Sequence, residues 1–147
     1  MDFEVRCISS KETRSLRHRV LWPHLPSPEV CVIDIDERPD AFHVGVFHEQ
    51  RLVSIGSFFA MTSPRLDFFP QYRLRAMATD PDYRRMHAGD RLIDFGLERL
   101  RSEGVRILWC DARLVAVPFY ESLGFSAQPD VYEVPLIGPH HFMWKEL

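Results

Sequence analysis

The sequence has 147 residues, of which 46% are hydrophobic and 27% are charged, and its formal net charge is -3. This length and composition are typical of one globular domain that folds unaided, and they exclude an intrinsically disordered chain. The acidic balance argues against a nucleic-acid-binding protein, because that kind of binding is driven by a basic surface that releases counterions.

The cysteines and the first residues bear on the cellular compartment. Cys7, Cys31 and Cys110 show no CxxC spacing, so we expect neither a disulfide framework nor a metal site. The first residues lack the basic start and apolar core of a signal peptide, and no run of about 18 apolar residues occurs. We therefore expect a cytoplasmic protein that does not associate with membranes.

The first half of the chain predicts a strand, a helix, a long loop and a hairpin. Apolar and charged residues alternate over residues 3–7, as in a half-buried strand, and residues 10–21 have the spacing of a short helix. Four prolines make residues 22–40 an irregular connection. The β-rich runs 42–47 and 52–59 flank a polar tip and therefore predict an antiparallel hairpin.

The second half predicts a strand, a helix and a strand, followed by three shorter elements. Residues 74–79 are short and apolar, residues 88–102 repeat apolar side chains at helical spacing, and Gly104 suits a left-handed C-cap. Residues 105–110 predict a buried strand that pairs in parallel with the first one through a right-handed connection. The remaining predicted elements are a short helix over 118–123 and strands over 131–134 and 142–145.

An anion-binding loop is predicted between the strand at 74–79 and the helix at 88–102. Free backbone N–H groups and the helix dipole both favour a phosphate at a helix N-terminus. Arg84 and Arg85 add positive charge, and Gly89 allows a ligand to approach the backbone closely. A solvated arginine pair beside a helix start would have the same residues, so the loop alone leaves both interpretations open. Neither a GxGxxG fingerprint nor a P-loop motif occurs, which excludes those nucleotide sites.

Three segments together resemble the GNAT superfamily of N-acetyltransferases. They are LRAMATDP at 74–81, YRRMHAG at 83–89 and AVPFYESLGF at 116–125, and their order and spacing also match the family. The resemblance implies a single domain with an α/β (α+β) three-layer fold. Its sheet is mixed, mostly antiparallel, made of about six or seven strands, and splayed between the fourth and fifth strands. It also implies acetyl-CoA as co-substrate, without a metal.

The resemblance assigns the cofactor-binding residues position by position. It implies that Met77, Ala78 and Thr79 pair with the pantetheine arm, and that Arg84, Arg85, Met86, His87, Ala88, Gly89 and Asp90 surround the pyrophosphate. His87 stands at the first glycine of the family's R-x-x-G-x-G pattern. If that position needs a positive φ, histidine is among the non-glycine residues that tolerate it best. Asp90 stabilises the helix start but repels a bound phosphate.

The same resemblance makes Tyr120 the residue that protonates the departing thiolate. A phenol with a pKa of about 10 can donate to a thiolate whose conjugate acid has a pKa of about 8.5. An acceptor amine with a pKa of about 10.4 is neutral in roughly one molecule in 2,500 at pH 7, so it needs a base or a desolvating pocket. His140 is the first candidate for that base, because imidazole titrates near neutral pH.

The acceptor side is less defined by the sequence. Many relatives carry a glutamate on the strand where this chain has Arg73 and Arg75, and Arg75 is a candidate contact for an acidic acceptor. His43 and Glu133 are further candidates for substrate binding or proton transfer. We expect Asp111, at the end of its strand, to cap the turn that follows or, as the alternative, to order a water. The expected partner is a small-molecule or peptide amine, and a homodimer is possible. Two alternatives stay open: a non-catalytic module that binds CoA or acyl-CoA, and a structural domain that binds no nucleotide.

Overall fold

The computed structural model describes residues 2–147, which form seven strands and three α-helices. In chain order these are β1 (Glu4–Ile8), α1 (Ser10–Leu16), β2 (Phe42–His48), β3 (Arg51–Ala60), β4 (Gln71–Thr79), α2 (Ala88–Ser102), β5 (Ile107–Arg113), α3 (Val117–Ser122), β6 (Ser126–Val134) and β7 (Gly138–Glu146). The strands form one sheet in the order β1-β2-β3-β4-β5-β7-β6, with β4 and β5 parallel and the other described neighbours antiparallel. The mixed, mostly antiparallel sheet that the resemblance implied is confirmed.

Most of the predicted elements are present, and their bounds differ most in the C-terminal half. The hairpin of β2 and β3, the parallel pairing of β4 with β5, and a helix over Ala88–Ser102 are all confirmed. The prediction for β5 was wrong at its C-terminal end, because the strand continues to Arg113. Pairing with β7 from Ile107 opposite Glu146 to Arg113 opposite His140 extends β5 beyond its apolar run. No helix within residues 2–147 combines the length and the apolar character needed to cross a bilayer.

Helix α2 is fixed to the sheet by its apolar face. Leu92, Ile93 and Leu100 are fully buried and Leu97 is 4% exposed, in one core cluster with Phe58 of β3. Each such side chain contributes roughly 1.5–3 kcal/mol on burial. The helix therefore has a defined position on the sheet, and so does the loop at its N-terminus.

A buried ion pair ties the irregular segment 22–40 to the sheet. Helix α1 continues into a π-helical segment, Arg17–Leu21, and the side chain of Arg17 is fully buried. Its guanidinium donates two hydrogen bonds of 2.8 Å to Asp36, one of 2.9 Å to Ser57 Oγ, and one of 3.1 Å to the carbonyl of Cys31. The segment is irregular, as predicted, but it is attached through a charge pair that no sequence pattern predicted.

We expect the Asp36→Ala substitution to lower the free energy of unfolding by about 3–5 kcal/mol, because it leaves the buried guanidinium of Arg17 without its counter-charge. Denaturant unfolding measures this loss. Asp67→Ala, which removes an exposed carboxylate, is the matched control and should change the free energy little. A loss below 1 kcal/mol would contradict the structural role of the pair.

The same pair predicts an acid-dependent loss of stability. Burial alone would raise the pKa of Asp36, but hydrogen bonds from Arg17 and from the Ile33 amide, with the charge of Arg17, outweigh burial and lower that pKa. The stabilisation is therefore present above the unfolded carboxyl pKa of about 3.9 and is lost as the pH falls through the folded value. Asp36→Ala should show a smaller decrease of the unfolding free energy between pH 5 and pH 3 than the wild type.

Candidate functional site

The site is a gap in the sheet between β4 and β5. Among the described residues, the two strands pair only from Gln71 opposite Ile107 to Arg73 opposite Trp109, whereas the other edge of β5 pairs with β7 from Ile107 to Arg113. The gap is a cavity of about 270 Å³, lined by 73–77 of β4 and by 110–113 of β5. The edge of β4 that faces the gap therefore has no strand partner over 74–79 within residues 2–147, so its backbone groups there are available to a ligand.

A β-bulge bends β4 where it borders the gap. Ile55 pairs with Ala78 and Ser57 pairs with Arg75, so Gly56 of β3 faces two residues of β4, Ala76 and Met77. Ala76 has a φ of 53°, a left-handed conformation that costs an alanine roughly 1–2 kcal/mol. Bulges re-aim the backbone and side chains of a strand and often lie beside functional sites. The sequence does not predict this bulge, because β4 has neither a glycine nor an asparagine at the left-handed position.

The predicted anion-binding loop is anchored at its start by Asp80. The Asp80 side chain is buried and accepts hydrogen bonds from the Asp82 amide at 2.9 Å, from Arg51 at 2.9 Å and from Arg19 at 3.2 Å. Burial opposes ionisation of this carboxyl, but the Asp82 amide and the two arginines outweigh burial and lower its pKa. The loop thus leaves β4 from a fixed, charged anchor.

The loop itself contains two left-handed residues before helix α2. Arg85 has a φ of 64°, and His87, the N-cap of α2, has a φ of 65° and a ψ of 19°. His87 therefore has a positive φ, which histidine tolerates better than most non-glycine residues. The side chains of Arg84, Arg85, Met86 and His87 are exposed, and His87 Nδ1 lies 3.2 Å from Asp90 Oδ2.

The first turn of α2 packs closely on β4 and α3. A Cβ atom on the buried Gly89 would lie 3.1 Å from Met77 Cε and 3.1 Å from Phe119 Cζ. A Cβ here would crowd the ends of two side chains, so close packing also favours glycine at this position, beside its predicted role in the approach of a ligand. Ala88 beside it is 1% exposed.

The last residues of β4 are fixed by a serine of β3. Ser54 Oγ lies 3.2 Å from the Ala78 carbonyl and 2.9 Å from Thr79 Oγ1. Both Ala78 and Thr79 also pair with β3 along the ladder. Their other backbone edge is the one that borders the gap.

Tyr120 of α3 lines the gap and packs in a cluster of aromatic rings. Its ring packs edge-on against Phe119 and Phe125, with centroids 5.1 Å and 5.4 Å away, and its hydroxyl forms no hydrogen bond within residues 2–147. Burial first, and the neighbouring Cys110 second, raise the pKa of Tyr120 well above 10. Burial first, and Asp111 second, also raise the pKa of the Cys110 thiol. Both groups are therefore protonated at neutral pH.

A hydrogen-bonded cluster forms the opposite wall. Arg73 Nη2 donates to Asp111 Oδ2 at 2.7 Å, and the Tyr132 hydroxyl donates to Asp111 Oδ1. His140 stacks on Tyr132, with centroids 6.2 Å apart, and its Nδ1 lies 2.9 Å from the Gly138 carbonyl. Because a carbonyl only accepts, Nδ1 carries the proton and Nε2 of the neutral ring is left as an acceptor. The predicted cap role of Asp111 was wrong, because the longer β5 places it inside the strand.

The structure brings some predicted residues together and leaves others apart. His43 of β2 is buried away from the gap, with Nδ1 2.7 Å from Ser57 Oγ and Nε2 3.0 Å from the Asp36 carbonyl. Glu133 is exposed and alternates along β6 with Val134, which lines the gap. The predicted residues that line the gap are Arg75, Met77, Tyr120 and His140. Sequence reasoning did not single out Tyr132, although it lies opposite His140 in the pairing of β6 with β7.

Comparisons with known proteins agree with this architecture. The acetyltransferase (GNAT) family profile matches residues 8–125. An uncharacterized N-acetyltransferase, YitI of Bacillus subtilis, is 40% identical over 144 residues, which are 98% of this chain and 96% of that protein. The ribosomal protein bS18-alanine N-acetyltransferase of Escherichia coli is 38% identical over 71 residues, 46% of each chain.

A solved structure shows the same fold with a ligand. The aminoglycoside 6'-N-acetyltransferase complexed with coenzyme A superposes with a TM-score of 0.75 and 15% identity, over 97% of this chain and 96% of that one. At that identity the likeness concerns the fold alone. The family profile and the long match to YitI carry the assignment: the chain belongs to the GNAT family of acetyltransferases.

Proposed function

We propose that the protein transfers the acetyl group of acetyl-CoA directly to an amine while both substrates are bound to a single domain. The observation that carries this proposal is the gap between β4 and β5. It has a free strand edge on one side and the Tyr120 hydroxyl and His140 on its walls. The three free cysteines are compatible with a reducing cytoplasm as its location.

The free edge of β4 and the loop after it suit the two polar parts of acetyl-CoA. Backbone groups of Met77, Ala78 and Thr79 that face the gap would hydrogen-bond the pantetheine amides. The amides of 84–89 at the N-terminus of α2 would bind the pyrophosphate, at about 1.5–3 kcal/mol for each hydrogen bond to a charged group. Exposed Arg84 and Arg85 add charge to this end of the site.

The reaction then needs two proton transfers. The amine nitrogen forms a bond to the thioester carbon, and the carbon–sulfur bond breaks with its electron pair on sulfur. Tyr120 gives its proton to that thiolate, while Nε2 of His140 takes the proton that the amine loses. The bulged backbone at Ala76 and Met77 would polarise the thioester carbonyl.

A direct transfer fits the chemistry of the cysteine at the gap. Cys110 lines the cavity, but its raised pKa keeps it a thiol, and thiols are poor nucleophiles compared with thiolates. A covalent acetyl-cysteine is therefore disfavoured. The protein accelerates the reaction by aligning the amine with the thioester and by placing charge-stabilising groups around it.

Acetyl-CoA should bind and release its thiol in the presence of a panel of amines, which a thiol reagent detects. At 100 times its dissociation constant, the ligand should raise the melting temperature by roughly 5–10 °C. Thermal stabilisation without thiol release from any amine would favour a non-catalytic CoA-binding module instead. An unchanged melting temperature at millimolar acetyl-CoA would overturn both.

Tyr120→Phe should lower kcat by about 100-fold and leave the affinity for acetyl-CoA within about twofold, because only the proton donor is lost. Since burial raises the pKa of Tyr120 well above 10, its protonated form should persist and wild-type kcat should not fall from loss of this proton below pH 10. Tyr72→Phe is the matched control, since that hydroxyl donates to the Asp40 carbonyl at 2.8 Å, away from the gap. An unchanged kcat in Tyr120→Phe would remove this residue from the mechanism.

His87→Gly and His87→Val should separate the effect of the left-handed backbone from that of the imidazole. Glycine adopts this conformation without strain, whereas a β-branched residue adopts it worst. We expect His87→Gly to bind acetyl-CoA at least as tightly as the wild type by calorimetry. His87→Val should bind roughly tenfold more weakly and melt at a lower temperature. Equal affinities for the two variants would show that this conformation does not matter for binding.

A further inference from the structure

Two arginines on the same face of β4 differ in their partners. Arg73 is paired with Asp111 at 2.7 Å and lies over the Trp109 ring, 4.9 Å from its centroid. Arg75 is half-buried, lines the gap, and forms no hydrogen bond or salt bridge with any group of residues 2–147. A partly desolvated guanidinium without a counter-charge is unfavourable unless a ligand supplies that charge.

A second cavity, of about 500 Å³, opens beside the gap and meets it at Arg75. The two cavities share the lining residues Trp22, Arg75 and Ile137. The second one is otherwise lined mainly by apolar side chains, of which Val30 and Val32 are 46% and 51% exposed. Exposed apolar residues in a concave surface with a few charged groups are typical of a small-molecule site.

The charged side chains that line the second cavity are Arg75 and Asp34. Asp34 acts on Arg75 through its charge, but it is exposed and forms no salt bridge with Arg75 within 4.0 Å. The guanidinium fork of Arg75 is therefore free for a bidentate contact with a carboxylate. Because Arg75 lines both cavities, the groups attached to a carboxylate bound there can extend into the gap and into the second cavity.

We propose that the acceptor is a small amine that carries a carboxylate next to its amino group and an apolar side chain, given the acetyl transfer proposed above. Arg75 binds the carboxylate, the second cavity holds the apolar side chain, and the amino group enters the gap. Arg75 thereby determines specificity toward the acceptor. Arg73, which is held by Asp111, shapes the wall and does not bind the acceptor.

Three amines that share the leucine side chain and differ at the carboxyl position test the assignment: leucine, leucinamide and 3-methylbutylamine, which lacks that group, each assayed by CoA release. For the wild type we expect kcat/KM to be at least about tenfold higher with leucine than with the other two, mainly through KM. Arg75→Met should remove this preference, and Arg75→Lys should retain part of it, because lysine keeps the charge but not the fork. Comparing ratios between variants cancels the intrinsic reactivity of each amine.

Arg101→Met, which removes an exposed arginine at the far end of α2, is the matched control and should keep the wild-type ratio. The carboxylate assignment is overturned if leucinamide or 3-methylbutylamine is used as well as leucine, or if Arg75→Met keeps the preference. It is also overturned if acetyl-CoA binds by calorimetry but leucine is neither acetylated nor bound at millimolar concentration. Absence of acetyl-CoA binding in the wild type would instead contradict the acetyl transfer itself.

Discussion

The separation of β4 from β5 is the constraint on which the rest of the site depends. Within residues 2–147 the two strands pair at only three register positions, while β5 is paired with β7 along its other edge from Ile107 to Arg113. A sheet that opens in this way exposes backbone donors and acceptors that water or a ligand must satisfy. Val134, Ile137 and His140, in β6, β7 and the turn between them, line the far wall of the gap.

Much of this arrangement could be predicted from the sequence, because local signals and global fold agree there. Residues 88–102 have an apolar stripe of helical period and a glycine beyond their end, and the helix has those bounds. The polar tip between two β-rich runs predicted the hairpin of β2 and β3. Tyr120 follows a proline suited to a helix start, and it lines the gap in the structure.

The features that could not be predicted arise from tertiary pairing. Ala76 takes a left-handed conformation because two residues of β4 must fit opposite one of β3, and alanine carries no sign of that requirement. Asp111 hydrogen-bonds to Arg73, 38 residues away along the chain, and to Tyr132, 21 residues away. These contacts form only because the sheet brings β4, β5 and β6 close together. Arginine and aspartate usually lie on the surface, so their residue types do not indicate burial. Arg17 and Asp36 become a buried pair because segment 22–40 packs against the sheet.

The attachment of segment 22–40 through Arg17 limits the motion of the second cavity, which we propose holds the side chain of the acceptor. Trp22, Val30 and Val32 line the second cavity and belong to this segment. Moving the segment away from the sheet would break the buried ion pair of Arg17 with Asp36, so this side of the cavity is rigid. Recognition of the acceptor would then be close to lock-and-key, and a change of acceptor during evolution would proceed by exchanging side chains on a rigid wall.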